Sequence, residues 1–365
     1  MGNRESLGGG PVMLTVRCRR NMTKFDPIEW IRRNFELEEA DSASFVYAAQ
    51  ESLSNRAVPG IYREFDPSID IHVRYRGRTL DYAAVFADGR ILDFGPGEGC
   101  PSLLIAPYVR QVIGVDASEK RVQVCAANAK RTGAANARFV FVEPKAPLPF
   151  SDDSFDGVVA SYSVEQSPDL QATLREICRI LKPGGCFRFE PETLNRYRDG
   201  HEQEVWLPEA IGGNRALTIF DRDLEQERAA HYGLLLDMTS PECAKDVVDA
   251  LMKQHPPILP LAALSDEVMQ ALRPFVLRAG TWVTEHPSYT SWPKRLLAAG
   301  FTQAQVTYSG AWIADRLLGV LAGERRPKTL RELDELLTPV ARMASSMEAP
   351  PEPQSDEYLF VTAMK

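Results

Sequence analysis

The residues with the clearest chemical meaning are glycines at alternate positions directly after a short apolar run. The run ends at Leu92, and Gly95, Gly97 and Gly99 follow it. Because glycine has no Cβ atom, such a loop lets the backbone turn sharply, approach a ligand closely and open into a helix. The pattern predicts a buried strand that ends in a ligand-binding turn.

An acidic residue follows this turn at the distance expected for a ribose contact. A second apolar strand ends at Asp116, nineteen residues after Gly97. A carboxylate about twenty positions beyond a glycine-rich turn, at the end of the next strand, is placed to accept hydrogen bonds from a ribose diol. Strand, turn, helix, strand and acid together predict an adenosine-binding half-site.

The spacing of the glycines favours one kind of adenosine ligand. Dinucleotide-binding turns have the pattern G-x-G-x-x-G, in which the helix N-terminus faces a pyrophosphate. This loop instead reads G-x-G-x-G, and Asp93 lies two positions before its first glycine. A carboxylate beside the loop suits a cationic ligand better than an anionic one.

Four motifs in register resemble one known family. Residues 93–99 together with Val115-Asp116 resemble the first two motifs of class I S-adenosylmethionine-dependent methyltransferases, and two later segments, 148–156 (LPFSDDSFD) and 181–185 (LKPGG), strengthen the resemblance. In order and spacing they are similar to the small-molecule methyltransferases of ubiquinone and menaquinone biosynthesis. The resemblance covers residues 85–195.

Regular alternation of strand and helix patterns predicts an α/β fold. The predicted strands are 89–94, 111–116, 138–142, 155–161 and 186–190, and the helices between them are 100–108, 118–131 and 169–181. This order indicates a parallel sheet with right-handed crossovers. The resemblance implies a Rossmann-like, seven-stranded, mostly parallel sheet whose last strand, 357–364, is antiparallel at the sheet edge.

The chain divides into five predicted parts. They are a flexible leader (1–24), an N-terminal helical extension (25–88), the S-adenosylmethionine-binding core (89–195), a helical insertion (196–290) and the end of the core sheet with a further helical insertion (291–365). Asp26-Pro27 has the pattern of a helix start. We expect the insertion 196–290 to form a lid over the acceptor, with a helical decoration outside the sheet as the alternative.

The resemblance implies S-adenosylmethionine as the cofactor and gives roles to residues at the strand ends. The glycine loop would pass beneath the methionine and ribose, Asp93 would lie near the cationic amino group, and Asp116 would bind the ribose. The expected cofactor contacts are Asp93, Phe94, Gly95, Pro96, Gly97, Gly99, Asp116, Ala117, Ser118, Glu143, Ala146, Ser161, Tyr162 and Gln166. A turn-capping role for Asp93 and a packing role for Tyr162 remain alternatives.

No catalytic residue is required by the predicted reaction. Methyl transfer from a sulfonium is an in-line displacement, so alignment and exclusion of water supply much of the catalysis. Gln166 stands where many relatives have the second residue of a Glu-His pair, and an amide cannot be a general base. Base candidates after the fifth strand are Glu190, Tyr197 and His201, each with a solvated-loop role as the alternative.

Composition narrows the choice of function. The net charge of −8 disfavours a broad nucleic-acid footprint, and no apolar run is long enough to cross a bilayer. Six scattered cysteines without a C-x-x-C pair favour reduced thiols over a metal or disulfide framework, although convergence on a metalloid remains conceivable. We therefore expect a cytoplasmic methyltransferase with a small-molecule acceptor and no metal. A non-catalytic cofactor-binding subunit or sensor is the alternative.

Overall fold

Two β-sheets with helices packed around them make up the described chain. The computed structural model describes residues 25–42, 45, 66, 79–86, 88–197, 202–207, 213–254, 258–321, 326–350 and 359–365. Its strands, numbered in chain order, are β1 (Glu38–Glu39), β2 (Arg90–Phe94), β3 (Gln111–Asp116), β4 (Ala137–Phe141), β5 (Phe155–Ser161), β6 (Leu181–Glu190), β7 (Gln203–Trp206), β8 (Arg215–Asp223), β9 (Arg228–Leu236), β10 (Ile258–Pro260), β11 (Val276–Glu285), β12 (Gln303–Tyr308) and β13 (Leu359–Met364). The predicted leader, 1–24, lies outside the described residues.

Helices connect and cover these strands. The α-helices among the described residues are Pro27–Asn34, Ser102–Ile105, Glu119–Thr132, Leu170–Ile180, Lys245–Gln254, Asp266–Leu272, Trp292–Ala298, Gly310–Val320 and Leu330–Ser346. Short 3-10 helices are Ala83–Val85, Ala106–Tyr108, Val164–Gln166, Leu194–Tyr197, Leu261–Ala263 and Arg273–Phe275. None of the described helices is long and apolar enough to span a membrane.

The seven-stranded sheet confirms the predicted core. Its strand order is β12-β13-β6-β5-β2-β3-β4, and the pairs from β6 to β4 are parallel. Strand β13 is antiparallel to both neighbours, as predicted, but it lies one strand in from the edge, which β12 occupies. The carboxyl ends of β2, β3 and β5 therefore meet along one rim, where ligands bind in such sheets.

Side chains of the core sheet alternate between two apolar layers, as the two-residue period of a strand requires. Leu92 belongs to the layer formed with helices Leu170–Ile180 and Trp292–Ala298, whereas Ile91 belongs to the layer formed with helix Leu330–Ser346. Because both faces are covered, strand sequences such as β2 and β3 are apolar throughout their centres.

The insertion 196–290 was predicted to be helical, and that prediction is wrong for most of its described residues. Strands β7 to β11 join β1 in a six-stranded sheet of order β1-β11-β9-β8-β7-β10, antiparallel except for the β1–β11 pair. The predicted helix 224–232 is instead the β8–β9 turn and the first half of β9. Its alanines and glutamates are good helix formers, but pairing along the whole length of β8 overrides that local preference.

The N-terminal extension contributes to this second sheet. Asp26 caps helix Pro27–Asn34 as predicted, because its Oδ1 accepts hydrogen bonds from the backbone N–H groups of Ile28 (2.9 Å) and Glu29 (3.2 Å). The helix ends at Asn34, and the chain then adds β1 to the edge of β11. Most of a second predicted helix, 42–56, lies outside the described residues.

Two paired glycines of the second sheet make room for an aromatic ring. Gly233 of β9 and Gly280 of β11 face each other across the strand pair. A Cβ atom at Gly233 would lie 2.4 Å from the ring of Phe45, and one at Gly280 would lie 2.9 Å from it. Phe45 fills this socket and also packs against Trp282, with ring centroids 5.5 Å apart.

A buried arginine joins four segments of the core. Arg188 of β6 is fully buried, and its guanidinium donates to the hydroxyls of Thr307 (2.6 Å) and Thr362 (2.7 Å) and to the backbone carbonyl of Asp81. The Asp81 carboxylate is also buried and accepts hydrogen bonds from Ser309. Burial lowers the pKa of Arg188, and the neighbouring Asp81 carboxylate opposes that change.

We predict that Arg188→Met destabilises the protein by about 3 kcal/mol or more, because it leaves the buried Asp81 carboxylate without its neighbouring cation and several buried oxygen acceptors without their donor. Urea denaturation measures the effect. The same replacement at the exposed Arg138 of β4 is the control, with an expected change within about 0.5 kcal/mol. Equal effects of the two substitutions would contradict a structural role for the Arg188 network.

Candidate functional site

A cavity of about 990 Å³ opens at the carboxyl ends of β2, β3 and β5. Its wall contains most of the residues predicted to contact the cofactor. These are Phe94, Gly95, Gly97, Asp116, Ala117, Glu143, Ala146, Ser161, Tyr162 and Gln166. Of the remaining predicted contacts, Asp93, Pro96, Gly99 and Ser118 are not part of the wall. The structure thus brings the strand-end residues together around one space.

The two glycines in the wall lie in different surroundings, so a side chain would have a different effect at each. At Gly95 (φ +69°) a Cβ atom would lie 2.5 Å from the Cβ of Ser163, so no side chain fits against the protein itself. Gly97 (φ +58°) is unlike it, since no described atom lies within 4 Å of the position of a Cβ. The space beside Gly97 therefore belongs to the cavity, as a backbone that approaches a ligand requires.

Asp93 fixes the turn that follows β2. Its side chain is fully buried, and Oδ2 accepts hydrogen bonds from the backbone N–H (2.8 Å) and the hydroxyl (2.6 Å) of Ser102. Burial raises the pKa of Asp93 to about 7, against the lowering effect of the Ser102 hydrogen bonds. Its Oδ1 is buried without a hydrogen-bond partner. One oxygen therefore takes the capping role, and the other is buried without a hydrogen bond.

Asp116 ends β3 and lies in the wall. Its Oδ1 accepts a hydrogen bond from the backbone N–H of Ser118 (2.9 Å), and burial raises its pKa while this bond opposes the change. Ser118 caps helix Glu119–Thr132 by accepting from the backbone N–H of Arg121. Pro96 accepts a hydrogen bond from the N–H of Gly99 (2.8 Å). Ser118, Pro96 and Gly99 therefore shape the two turns without reaching the cavity.

The turn after β4 forms the next part of the wall. Glu143 and Ala146 both line the cavity, and the backbone N–H of Ala146 donates to the carbonyl of Glu143 (3.0 Å). This bond closes the turn on itself. Lys145, between them, has a positive φ of +66°. Both residues that were predicted near an adenine thus lie on one short, closed loop.

Of the predicted base candidates, Glu190 is the one that the structure connects to the cavity. Glu190, at the end of β6, accepts a hydrogen bond from the hydroxyl of Tyr162, which lines the cavity with a strained φ of +51°. Tyr197 lies elsewhere: its hydroxyl donates to Glu192 (2.6 Å), and the guanidinium of Arg222 is 3.6 Å from its ring centroid. His201 lies outside the described residues.

Sequence reasoning missed three wall residues from distant segments. Asp41 and Ser42 come from the N-terminal extension, and Glu285 comes from the end of β11. Glu285 is the one described residue of 196–290 in the wall. No local pattern marks these positions, because the packing of the second sheet beside the first brings them to the cavity.

A buried glutamate beside the wall was also missed as a functional residue. Glu165 is fully buried, and burial raises its pKa to about 8. Its Oε1 accepts a hydrogen bond from the backbone N–H of Glu192 (2.6 Å), while its Oε2 has no partner. The carboxylates of Glu192 and Glu190 add to the increase in its pKa. Burial therefore favours the neutral form of the Glu165 carboxyl.

The described residues contain no group of three or more histidines, cysteines and acidic residues that could hold a metal ion. Five cysteines are among them, and all five are free thiols. Convergence of these thiols on a metalloid is therefore not seen in the part of the chain that the structure describes.

The comparison with known families decides the nature of the central segment. Residues 92–189 match a family model described as a methyltransferase domain. These residues form a methyltransferase domain. The resemblance inferred from the four motifs is thereby confirmed over the core strands β2 to β6. The matched domain includes every wall residue from Phe94 to Glu176 and excludes Asp41, Ser42 and Glu285.

Curated relatives of the methyltransferase domain extend this finding. The uncharacterized methyltransferase YcgJ of Bacillus subtilis is 36% identical over 147 residues, which are 36% of this chain and 58% of that protein. The arsenite methyltransferase of Aquipseudomonas alcaligenes is 33% identical over 155 residues, 40% of this chain and 45% of that protein. The demethylmenaquinone methyltransferase of Lactococcus lactis is 32% identical over 137 residues, 36% and 54% of the two chains. The chain spans about half the length of these relatives.

The raised pKa of Glu165 predicts how stability changes with pH. A carboxyl with a pKa near 8 in the folded protein, against an ordinary value of 4.5, holds its proton more tightly when folded. Stability should therefore fall as pH rises from about 5 to about 8, and Glu165→Gln should make the slope shallower. Asp93 contributes to the same slope and remains in the variant. Urea denaturation across this pH range is the measurement, with the exposed Glu267→Gln as control. Identical slopes for wild type and Glu165→Gln would contradict a buried protonated carboxyl.

Proposed function

We propose that the protein is an S-adenosylmethionine-dependent methyltransferase that methylates a small organic acceptor, with the cofactor in the cavity at the ends of β2 and β3. The observation that carries the proposal is the open space beside Gly97, a left-handed glycine within the methyltransferase domain. A Cβ atom there would meet no described protein atom, so the bare backbone is explained by a ligand that lies against it.

The residues around this space fit the chemistry of the cofactor. Oδ1 of Asp93 is a buried oxygen without a partner, and a cationic amino group nearby would favour its charged form. Asp116 offers a carboxylate to the ribose hydroxyls, and Glu143 with Ala146 forms the wall where the adenine is expected. Phe94, Gly95 and Ala117 would complete the contacts, together with Ser161 and Tyr162 on the methionine side.

The cofactor supplies a methyl group activated by a sulfonium, and the chain supplies alignment and a water-excluding wall. Ser167, Asp169 and Thr173 line a stretch of the same cavity that contains no predicted cofactor contact. We assign this part to the acceptor. If the acceptor must lose a proton, Glu190 is the base that the contacts favour, acting through the Tyr162 hydroxyl. The hydroxyl of Tyr197 donates instead to Glu192.

Two observations support a small acceptor, and a third supports a cytoplasmic location. The volume of about 990 Å³ is in the range of small-molecule sites, which reach about 1,000 Å³. Two of the similar proteins are named for arsenite and for demethylmenaquinone. Free thiols at all five described cysteines suit a reducing compartment.

Incubation of the protein with methyl-labelled S-adenosylmethionine and a metabolite extract tests the activity directly. We expect label in one or a few small organic products. A protein that binds S-adenosylhomocysteine but transfers no label to any metabolite fraction would contradict the proposed reaction.

Gly97→Ala should reduce S-adenosylhomocysteine affinity at least about tenfold, because the added methyl group occupies the ligand's space. Gly133→Ala is a matched control: Gly133 also has a positive φ (+73°) and no described atom within 4 Å of its Cβ position, but it ends helix Glu119–Thr132 outside the cavity wall. Both variants carry the same backbone strain of about 1–2 kcal/mol. Equal ligand affinities of the two variants in calorimetry would contradict the proposal that the glycine loop contacts the cofactor.

Asp116→Ala should weaken S-adenosylmethionine and S-adenosylhomocysteine alike, by about 1.5–3 kcal/mol, because both carry the ribose diol and lose a charge-assisted hydrogen bond. Calorimetry with each ligand measures the loss. Adenosine and 2′-deoxyadenosine give a sharper comparison, since the variant should no longer distinguish them. A loss confined to one of the two cofactor forms would mean that Asp116 does not contact the ribose.

A further inference from the structure

A chain of hydrogen bonds runs from the second sheet to the cavity wall. The indole N–H of Trp282 on β11 donates to the hydroxyl oxygen of Ser42 (3.0 Å), and the Ser42 hydroxyl donates to Oε1 of Gln166 (2.9 Å). Ser42 and Gln166 line the cavity, whereas Trp282 is buried behind them. Three segments that are far apart in sequence thus meet at one carboxamide.

The donor and acceptor roles in these hydrogen bonds are fixed by the indole of Trp282. An indole N–H is a donor only, so Ser42 must accept from Trp282 and has its own proton to give. That proton goes to Oε1 of Gln166, which fixes the orientation of the carboxamide. Ser42 is the one described residue that hydrogen-bonds the Gln166 side chain, so the two N–H groups of Nε2 are left for a bound molecule.

The side chain of Trp282 is held in place by two aromatic contacts. The ring of Trp282 stacks on His231 with an interplanar angle of 1° and a centroid distance of 4.9 Å. Phe45 packs against the same indole. Because Trp282 cannot turn its N–H elsewhere without losing these contacts, the donor at Gln166 is oriented before any ligand binds.

We propose that Gln166 is an oriented hydrogen-bond donor for an anionic oxygen of the methyl acceptor, and that the acceptors of this protein are therefore carboxylic acids or acidic phenols. This inference rests on the proposed function. Gln166 begins the stretch of wall that continues through Ser167 and Asp169 to helix Leu170–Ile180, the part that we assign to the acceptor.

One cation in this part of the wall has a guanidinium that is available to an anion. Asp169 accepts a hydrogen bond from the backbone N–H of Ala172 (2.9 Å), and Glu176 is paired with Arg179 (2.8 Å). Arg175 also lines the cavity, and no described residue forms an ion pair or hydrogen bond with its guanidinium. Its guanidinium can therefore pair with an anionic oxygen, whereas the backbone N–H bonded to Asp169 leaves that carboxylate charged.

The chemistry of an amide agrees with an acceptor that is already ionised. The acceptor oxygen forms a bond to the methyl carbon while the carbon–sulfur bond breaks, and the electron pair of that bond stays on the sulfur. An anionic oxygen becomes a neutral methyl ester or ether, so no proton has to be removed. Gln166 cannot take a proton, but it can hold an anionic oxygen in line, as this reaction requires.

Binding of matched probes to the protein saturated with S-adenosylhomocysteine tests the proposal. The probes are 4-nitrophenolate and 4-nitroaniline, which share a shape and differ in charge. We expect wild type to bind the phenolate at least about tenfold more tightly, as a charge-assisted hydrogen bond allows. Gln166→Ala should bring the two affinities close together. The side-chain amide signal of Gln166 in ¹⁵N spectra, identified by its loss in Gln166→Ala, should shift with the phenolate.

Two tryptophan variants test whether the orientation comes from the second sheet. Trp282→Phe keeps an aromatic ring but removes the N–H, and it should lower the preference for the phenolate by about threefold, part of the full effect. Trp292→Phe is the matched control, because Trp292 is also buried but its N–H has no partner. An equal preference in Trp282→Phe and wild type would overturn the orienting role of the second sheet.

The affinity for S-adenosylhomocysteine distinguishes the two possible failures. It should change less than about twofold in Gln166→Ala if the donor serves the acceptor. A large loss of this affinity with an unchanged probe preference would assign the donor to the cofactor and overturn the inference alone. The inference would also be overturned if the wild-type protein bound S-adenosylhomocysteine but neither probe. Equal affinity of the wild-type protein for the aniline and the phenolate would overturn it as well. A wild-type protein that does not bind S-adenosylhomocysteine would overturn the proposed function and this inference with it.

Discussion

The parallel pairing of β2 with β3 on one side and β5 on the other is the constraint on which the site depends. Phe94 is in register with Val115 of β3 and Ala160 of β5. The next residue of each strand is Gly95, Asp116 or Ser161, so the three lie at one level where the strands end. The glycine loop, the Asp116 carboxylate and the Ser161 hydroxyl are thus placed together by backbone hydrogen bonds between the strands.

Two buried carboxyls are direct sequence neighbours of residues in the cavity wall. Asp93 and Glu165 are fully buried carboxyls, each with one satisfied and one unsatisfied oxygen. Such atoms cost stability, because an unpaired polar group loses its hydration without compensation. They lie beside the cavity rather than in the apolar layers. The guanidinium of Arg188, in contrast, is paired with three other segments and belongs to the scaffold.

The sequence predicts those parts of the molecule that depend on local spacing. Strand β2, which precedes the Gly97 turn, and strand β3, which ends at Asp116, have the predicted bounds to within a residue or two, because buried parallel strands and the turns between them have strong local patterns. The hairpin of β8 and β9 was not predicted, since Ala229 and its neighbours have a local preference for helix that pairing with another strand overrides. Ser42 and Glu285 reach the cavity only through contacts between the two sheets. The sequence also does not decide between a turn-capping role and a cofactor contact for Asp93, because its position nine residues before Ser102 is compatible with both roles.

The socket that Gly233 and Gly280 form for Phe45 should couple the evolution of two distant parts of the chain. A side chain at either glycine would expel the ring, and the segment that carries Ser42 would lose its anchor. Proteins that share this second sheet should therefore keep or replace the aromatic residue and the facing pair of small residues together. Covariation among these positions, rather than the glycine loop common to so many methyltransferases, would define the subfamily. A graft of this sheet onto another methyltransferase domain would need the N-terminal segment as well.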